Sequence, residues 1–303
     1  MERILSYDKF QKLFEGGNAI KQARRIKESE VDSTLKSIKS LLIPLIGGGE
    51  IGKEYILIGS AGKKKDPDDS SGDLDLGIDS SFVASKYKVN TEDLLSSLNK
   101  ELLEKLPKQL GFTPDMKLMK GINVLSIGWP INGDESNGIV QLDLIPISDI
   151  EWAKFIFYSP DYKKNESKYK SAHRNWLFQA ILSSMKDIES RDANGDIENF
   201  STYALRLSDG IYLNKKTFKG IRKKLLKAKT IPGESKFITR DPQKLIEMLF
   251  GKGISASNIK SFEDAWELVS AKNFKHRDKI DDIKKDLVRY LDNGGYEIPT
   301  EIK

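Results

Sequence analysis

Residues 55–79 read YILIGSAGKKKDPDDSSGDLDLGID: an apolar strand-like run, a turn of small residues, a polar loop and a second strand carrying alternate aspartates. Successive side chains of a strand point to opposite faces, so Asp73 and Asp75 project together while Leu74 and Leu76 bury themselves behind. Two carboxylates this close repel each other unless a cation lies between them, and a divalent metal is the expected occupant. Gly59-Ser60 follows Ile56-Leu57-Ile58. Glycine lets the backbone approach a ligand, and free N–H groups with the Ser60 hydroxyl suit a phosphate. Hard oxygen ligands favour Mg²⁺, which takes one or two carboxylates and fills its shell with water and phosphate.

A third acidic residue stands in Ile139-Val140-Gln141-Leu142-Asp143-Leu144-Ile145. A lone aspartate in a buried strand is costly unless paired or metal-bound. A Gly-Ser pair by itself is common, and D-x-D by itself fits a Ca²⁺ loop or solvated charge equally well. In this order, Gly59-Ser60, Asp73-Leu74-Asp75 and Asp143 resemble the three-carboxylate signature of the polymerase-beta-like nucleotidyltransferase superfamily, over roughly positions 35 to 150. Competing phosphate motifs fail: the chain has no G-x-x-x-x-G-K-[ST], and its glycines open no helix as a dinucleotide fingerprint.

The resemblance implies an α+β fold with a mixed-sheet catalytic domain. It also implies transfer of an NMP from an NTP to an acceptor hydroxyl, with release of pyrophosphate. Two Mg²⁺ or Mn²⁺ ions are implied, with Asp73 and Asp75 on both and Asp143 on the one beside the attacking hydroxyl. Gly59 and Ser60 would hold the β- and γ-phosphates, with Lys63 and Ser71 as further nucleotide contacts. The run Lys63-Lys64-Lys65 reads either as a loop over the phosphates or as a solvated stretch. A nucleic-acid 3′ end, most readily RNA, is the expected acceptor. A protein or small-molecule hydroxyl is the alternative, and a non-catalytic nucleic-acid-binding protein is the rival of another class.

Composition narrows the field. The 303 residues include no cysteine, which removes disulfides and thiolate chemistry. The two histidines, His173 and His276, are too few and too far apart for a histidine metal site, so oxygen ligands are expected. No apolar run approaches the ~20 residues of a membrane span, and MERILSYDKF lacks the plan of a signal peptide; the expectation is a cytoplasmic protein with no membrane partner. Residues 1–150 hold 20 Lys and Arg against 23 Asp and Glu, whereas residues 151–303 hold 30 against 22. The basic half is either the surface that meets a polyanion or a lysine-rich solvated exterior.

Along the chain, an N-terminal helical segment (1–30), a catalytic domain (31–150) and a mainly helical, basic C-terminal domain with one β-hairpin (151–303) are expected. The spacing predicts helices over 30–46, capped by Asp32 or Ser33, and over 91–107. The second is capped by Thr91, stopped by Pro107 and buried through Leu94, Leu95, Leu98, Leu102 and Leu103. Strands are expected at 115–119, 122–129 and 138–147. Beyond them come a helix at about 166–187, a hairpin over 202–217 turning at Ser208-Asp209-Gly210, and three closing helices. In the helix at 166–187, His173, Arg174 and Asn175 serve either a base or packing. FKGIRKKLLKAK reads as a basic helix, and with Lys216 before it supplies the candidate acceptor contacts Lys216, Lys223, Lys224 and Lys227. The sequence leaves the oligomeric state undefined.

Overall fold

The computed structural model describes residues 19–120, 123–191, 195–217 and 229–302, which divide after Lys168 into two compact units. The first is built on a five-stranded sheet in the order β2-β4-β7-β6-β5, with β2 Tyr55–Ile58, β4 Asp73–Asp79, β5 Met116–Met119, β6 Val124–Pro130 and β7 Ile139–Ile147. β4 and β7 run parallel, and the other neighbouring pairs are antiparallel. The fold is thus α+β with a mixed sheet, as expected. The strands β1 Ile26–Lys27 and β3 Ser70–Ser71 form a separate short ribbon.

Parallel strands are covered on both faces, and the sequence provides for both. On one face Leu74, Leu76 and Ile78 of β4, Leu142 and Leu144 of β7 and Leu125 and Ile127 of β6 join the main core with helical side chains such as Val31, Val83 and Leu98. Each fully buried Leu or Ile contributes ~1.5–3 kcal/mol. On the other face Ile56, Ile58, Val124, Ile145, Ile147 and Ala153 form a smaller cluster. Gly77 gives this cluster its close packing: a Cβ would lie 2.1 Å from Ile147 Cδ1, which would have to shift. Strand alternation puts Asp73 and Asp75 on this same face, beside the smaller cluster.

Several helix boundaries differ from expectation for local reasons. The first helix runs Glu28–Ser37, and Glu30, not Asp32 or Ser33, caps it by accepting the Lys27 N–H at 2.9 Å. A π-turn at Ile38–Leu42 follows, just before Pro44, which has no N–H to continue a helix. The next long helix is Leu94–Leu110, with Asp93 at its start and Pro107 inside it. The carbonyl that Pro107 leaves without a donor belongs to Leu103, which is exposed to water and not buried as expected. Gly111, at φ +80°, supplies the stop. Within the expected N-terminal segment, residues 1–18 lie outside the described residues, and Ala23 bridges Ile139.

In the second unit the helix Ser171–Ser184 is buried on nearly every side. The expected hairpin forms between β9 Ile197–Arg206 and β10 Gly210–Thr217, and β8 Asp187–Arg191 and β11 Lys229–Thr239 extend it to an antiparallel sheet ordered β11-β10-β9-β8. Helices Pro242–Phe250, Phe262–Ser270 and Ile280–Asn293 follow, the first two capped by Asp241 and Ser261. Among the described residues no helix is long and apolar enough to cross a membrane.

Candidate metal centre

The parallel register sets Asp75 opposite Asp143 and Asp73 opposite Gln141. Side chains at paired positions share a face, and the carboxylates of Asp73, Asp75 and Asp143 each offer an oxygen within 4.8 Å of the others. Asp75 and Asp143 are buried, while Asp73 is half-exposed. Burial first, then the charges of Asp73 and Asp143, push Asp75 well above the usual carboxylate range. Burial also pushes Asp143 up to about 6; the Asp73 charge adds to this and the Gln141 amide pulls against it. Asp79, the last aspartate of the quoted stretch, stands apart from the cluster and caps the next helix by accepting the Phe82 N–H at 2.9 Å.

The residues fit a hard divalent cation. Asp75 Oδ1 is buried without a hydrogen-bond partner, an arrangement that is costly unless a cation satisfies it. The donor set is all oxygen, which suits Mg²⁺ or Mn²⁺.

Gln141 is a residue of the site that the sequence reading did not single out. Its Oε1 accepts the N–H groups of Ala19 at 2.8 Å and Ile20 at 3.2 Å. That orientation turns Nε2 toward Asp143, where it donates to both carboxylate oxygens at 3.1 and 3.0 Å. The signal lay in the two-residue spacing, which puts Gln141 and Asp143 on one face of an otherwise apolar strand.

The Gly-Ser turn adjoins the carboxylates because Ile58 pairs with Asp75. Gly59 adopts φ +82°, and a Cβ there would stand 3.1 Å from Asp75 Oδ2; glycine gives both the conformation and the clearance. Ser60 is half-exposed, and its carbonyl accepts the Lys63 N–H at 3.2 Å. The turn is anchored from behind: the buried Glu28 carboxylate accepts the Gly62 N–H at 3.0 Å and pairs with Lys163 at 2.8 Å.

The remaining predicted contacts are placed as follows. Lys63 donates to the Ser159 carbonyl at 2.7 Å and lies over the Tyr158 ring, and burial pushes its pKa down. Lys64 and Lys65 bond to Ser70 and Asn165. Ser71 pairs with Ile26 in β3, and its buried hydroxyl has no hydrogen-bond partner. Lys216 belongs to the second unit, in β10 and half-buried. Lys223, Lys224 and Lys227 lie outside the described residues. His173 packs against Tyr169, Phe262 and Tyr296, with Nε2 at 3.0 Å from the Glu297 carbonyl. Arg174 is buried, donating to the Ile259 and Lys260 carbonyls. Both serve packing. Comparison of the chain with family models, curated proteins and solved structures gave no match.

Proposed function

We propose that the chain is a metal-dependent nucleotidyltransferase of the polymerase-beta-like kind, moving an NMP from an NTP to an acceptor hydroxyl. One observation carries the reading: three carboxylates from neighbouring parallel strands converge within 4.8 Å beside the Gly59 turn, with one buried oxygen left unpartnered. Asp73 and Asp75 would hold two divalent ions and Asp143 one of them. When bound, such ions supply charge stabilisation for the attacking and leaving oxygens of an in-line displacement.

The chain's own groups then divide the work. The Gly59 and Ser60 backbone and the Ser60 hydroxyl bind the departing phosphates. Asp143, oriented by Gln141, takes the proton of the attacking hydroxyl. A new bond forms between that oxygen and the α-phosphorus, the bond to the bridging oxygen breaks, and pyrophosphate leaves. RNA is the acceptor favoured by the positive charge of residues 151–303, and the cytoplasm, which supplies NTPs and Mg²⁺, is the expected location.

The test is incubation with each α-labelled NTP, Mg²⁺ or Mn²⁺, and total RNA. Label in RNA that is absent with Asp73→Asn supports the reading. Label in a protein or small-molecule fraction moves the acceptor, and no label with any NTP rejects the activity.

A further inference from the structure

We infer that the antiparallel sheet of the second unit carries a stacking platform for single-stranded RNA. The choice of RNA rests on the nucleotidyl-transfer reading, whereas the location rests on separate observations. Tyr212 of β10 pairs directly with Phe237 of β11 and with Ala204 of β9, and Arg206, two residues after Ala204, shares their face. The Arg206 guanidinium lies 3.6 Å over the Tyr212 ring. Tyr212 and Phe237 meet edge to face with centroids 5.5 Å apart, and Arg240 lies 5.2 Å over Phe237. Three strands and the residue that follows β11 thus present one row in the order arginine, tyrosine, phenylalanine, arginine.

The row is built to meet something outside the fold. Phe237 sits on an edge strand and is 43% exposed, although an aromatic ring gains most when covered. Arg206 donates to Ser235 Oγ at 2.8 Å, and that hydroxyl donates to Asn214 Oδ1 at 2.6 Å. This relay fixes the guanidinium over the ring and leaves its other N–H groups for an external acceptor. Among the described residues neither arginine forms an ion pair with a carboxylate. The acid nearest the row in sequence, Asp209, receives the Tyr212 hydroxyl at 3.4 Å.

An exposed phenylalanine beside a half-buried tyrosine, flanked by arginines without carboxylate partners among the described residues, matches a chain of bases and phosphates. Every base has a π-face to stack on Phe237, and arginines take phosphate oxygens. A duplex hides those base faces, so the occupant is single-stranded. The excess positive charge of residues 151–303 acts in the same direction.

The test is fluorescence anisotropy of a labelled twelve-nucleotide single-stranded RNA with the full chain, in EDTA and without nucleotide, so that the result does not depend on transfer activity. Phe237→Leu, which keeps bulk but removes the π-face, should weaken binding about ten-fold or more, whereas Phe237→Tyr should retain it. Arg206→Gln with Arg240→Gln should flatten the slope of log affinity against log salt by about 1.4, at ~0.7 per lost phosphate contact. Circular dichroism should show all variants folded. Equal affinities across the set, tighter binding of the matching duplex, or no single-stranded binding by the wild type at low salt would overturn the platform. None of these results would bear on transfer to another acceptor.

Discussion

Gln141 and Asp143 lie two residues apart on one face of β7, and the Gln141 amide donates to both oxygens of the Asp143 carboxylate while its own oxygen is tied to the backbone at Ala19 and Ile20. The side chain therefore positions Asp143 and cannot turn over without losing two bonds. Groups that orient metal-ligating carboxylates are typically worth 10–100-fold in metal affinity or activity. Gln141→Leu should accordingly lower Mn²⁺ affinity, measured by calorimetric titration, by a factor in that range. Its metal-free melting temperature should also fall, because two backbone donors and a carboxylate lose a buried partner. Wild-type Mn²⁺ affinity in this variant would show that Gln141 is only a packing residue.

Asp73→Asn and Asp75→Asn should each abolish transfer and the thermal stabilisation given by Mn²⁺. In EDTA the Asp75 variant should melt at or above the wild-type temperature, since the substitution removes a buried charge repelled by two neighbours. Asp143→Asn should stop chemistry while leaving NTP–Mg²⁺ affinity nearly unchanged, because the proposed mechanism places Asp143 on the attacking side. An NTP affinity loss as large as that of Asp75→Asn would contradict this division of roles.

The carboxylate cluster was legible in the sequence because its parts carry charge and keep strand spacing: Asp73 and Asp75 two apart, and Asp143 alone among apolar neighbours. The two-residue spacing sets Gln141 on the face of Asp143, but the orientation of its amide follows only once its partners at Ala19 and Ile20, more than a hundred residues away, are known. Of the four-stranded sheet the sequence shows only the hairpin, for two local reasons. β8 is polar and largely exposed on both sides, so it shows no alternation. β11 contains Pro232-Gly233, which reads as a turn but is accommodated on an edge strand where the pairing with β10 is irregular. The helix Leu94–Leu110 passed Pro107 because the carbonyl that proline leaves free belongs to exposed Leu103.

The metal-free protein should lose stability as pH rises through 6. Asp143 has a folded pKa of about 6 against an unfolded value near 3.9, so between those limits the folded state binds more protons than the unfolded one. The contribution, about 3 kcal/mol at 1.36 kcal/mol per unit, is fully present below the unfolded value and lost as pH rises through the folded one. Asp75 is shifted in the same direction. Bound Mn²⁺ needs the ionised carboxylates, so its stabilising effect should grow over the same interval. Melting temperatures from pH 4.5 to 7.5, with EDTA and with Mn²⁺, should therefore diverge as pH rises; parallel curves would mean that the carboxylates do not hold the ion.

Gly59 gives the most local test of the link between the turn and the carboxylates. Two costs coincide at this position. Its φ of +82° is one that an L side chain resists, a penalty of ~1–2 kcal/mol. A Cβ would also press to 3.1 Å of Asp75 Oδ2, so the carboxylate must move by a few tenths of an ångström or the turn must open. Gly111 supplies the control. It also has positive φ, +80°, but a Cβ there meets nothing within 4 Å. Gly59→Ala should thus lose at least as much stability in EDTA as Gly111→Ala, which carries the conformational cost alone, and only Gly59→Ala should lose Mn²⁺ affinity, because only there does the added methyl reach a carboxylate of the cluster. Equal Mn²⁺ affinities in the two variants would mean that the turn and the carboxylates are neighbours without being coupled, and the phosphate-binding role assigned to Gly59 and Ser60 would then lose its structural support.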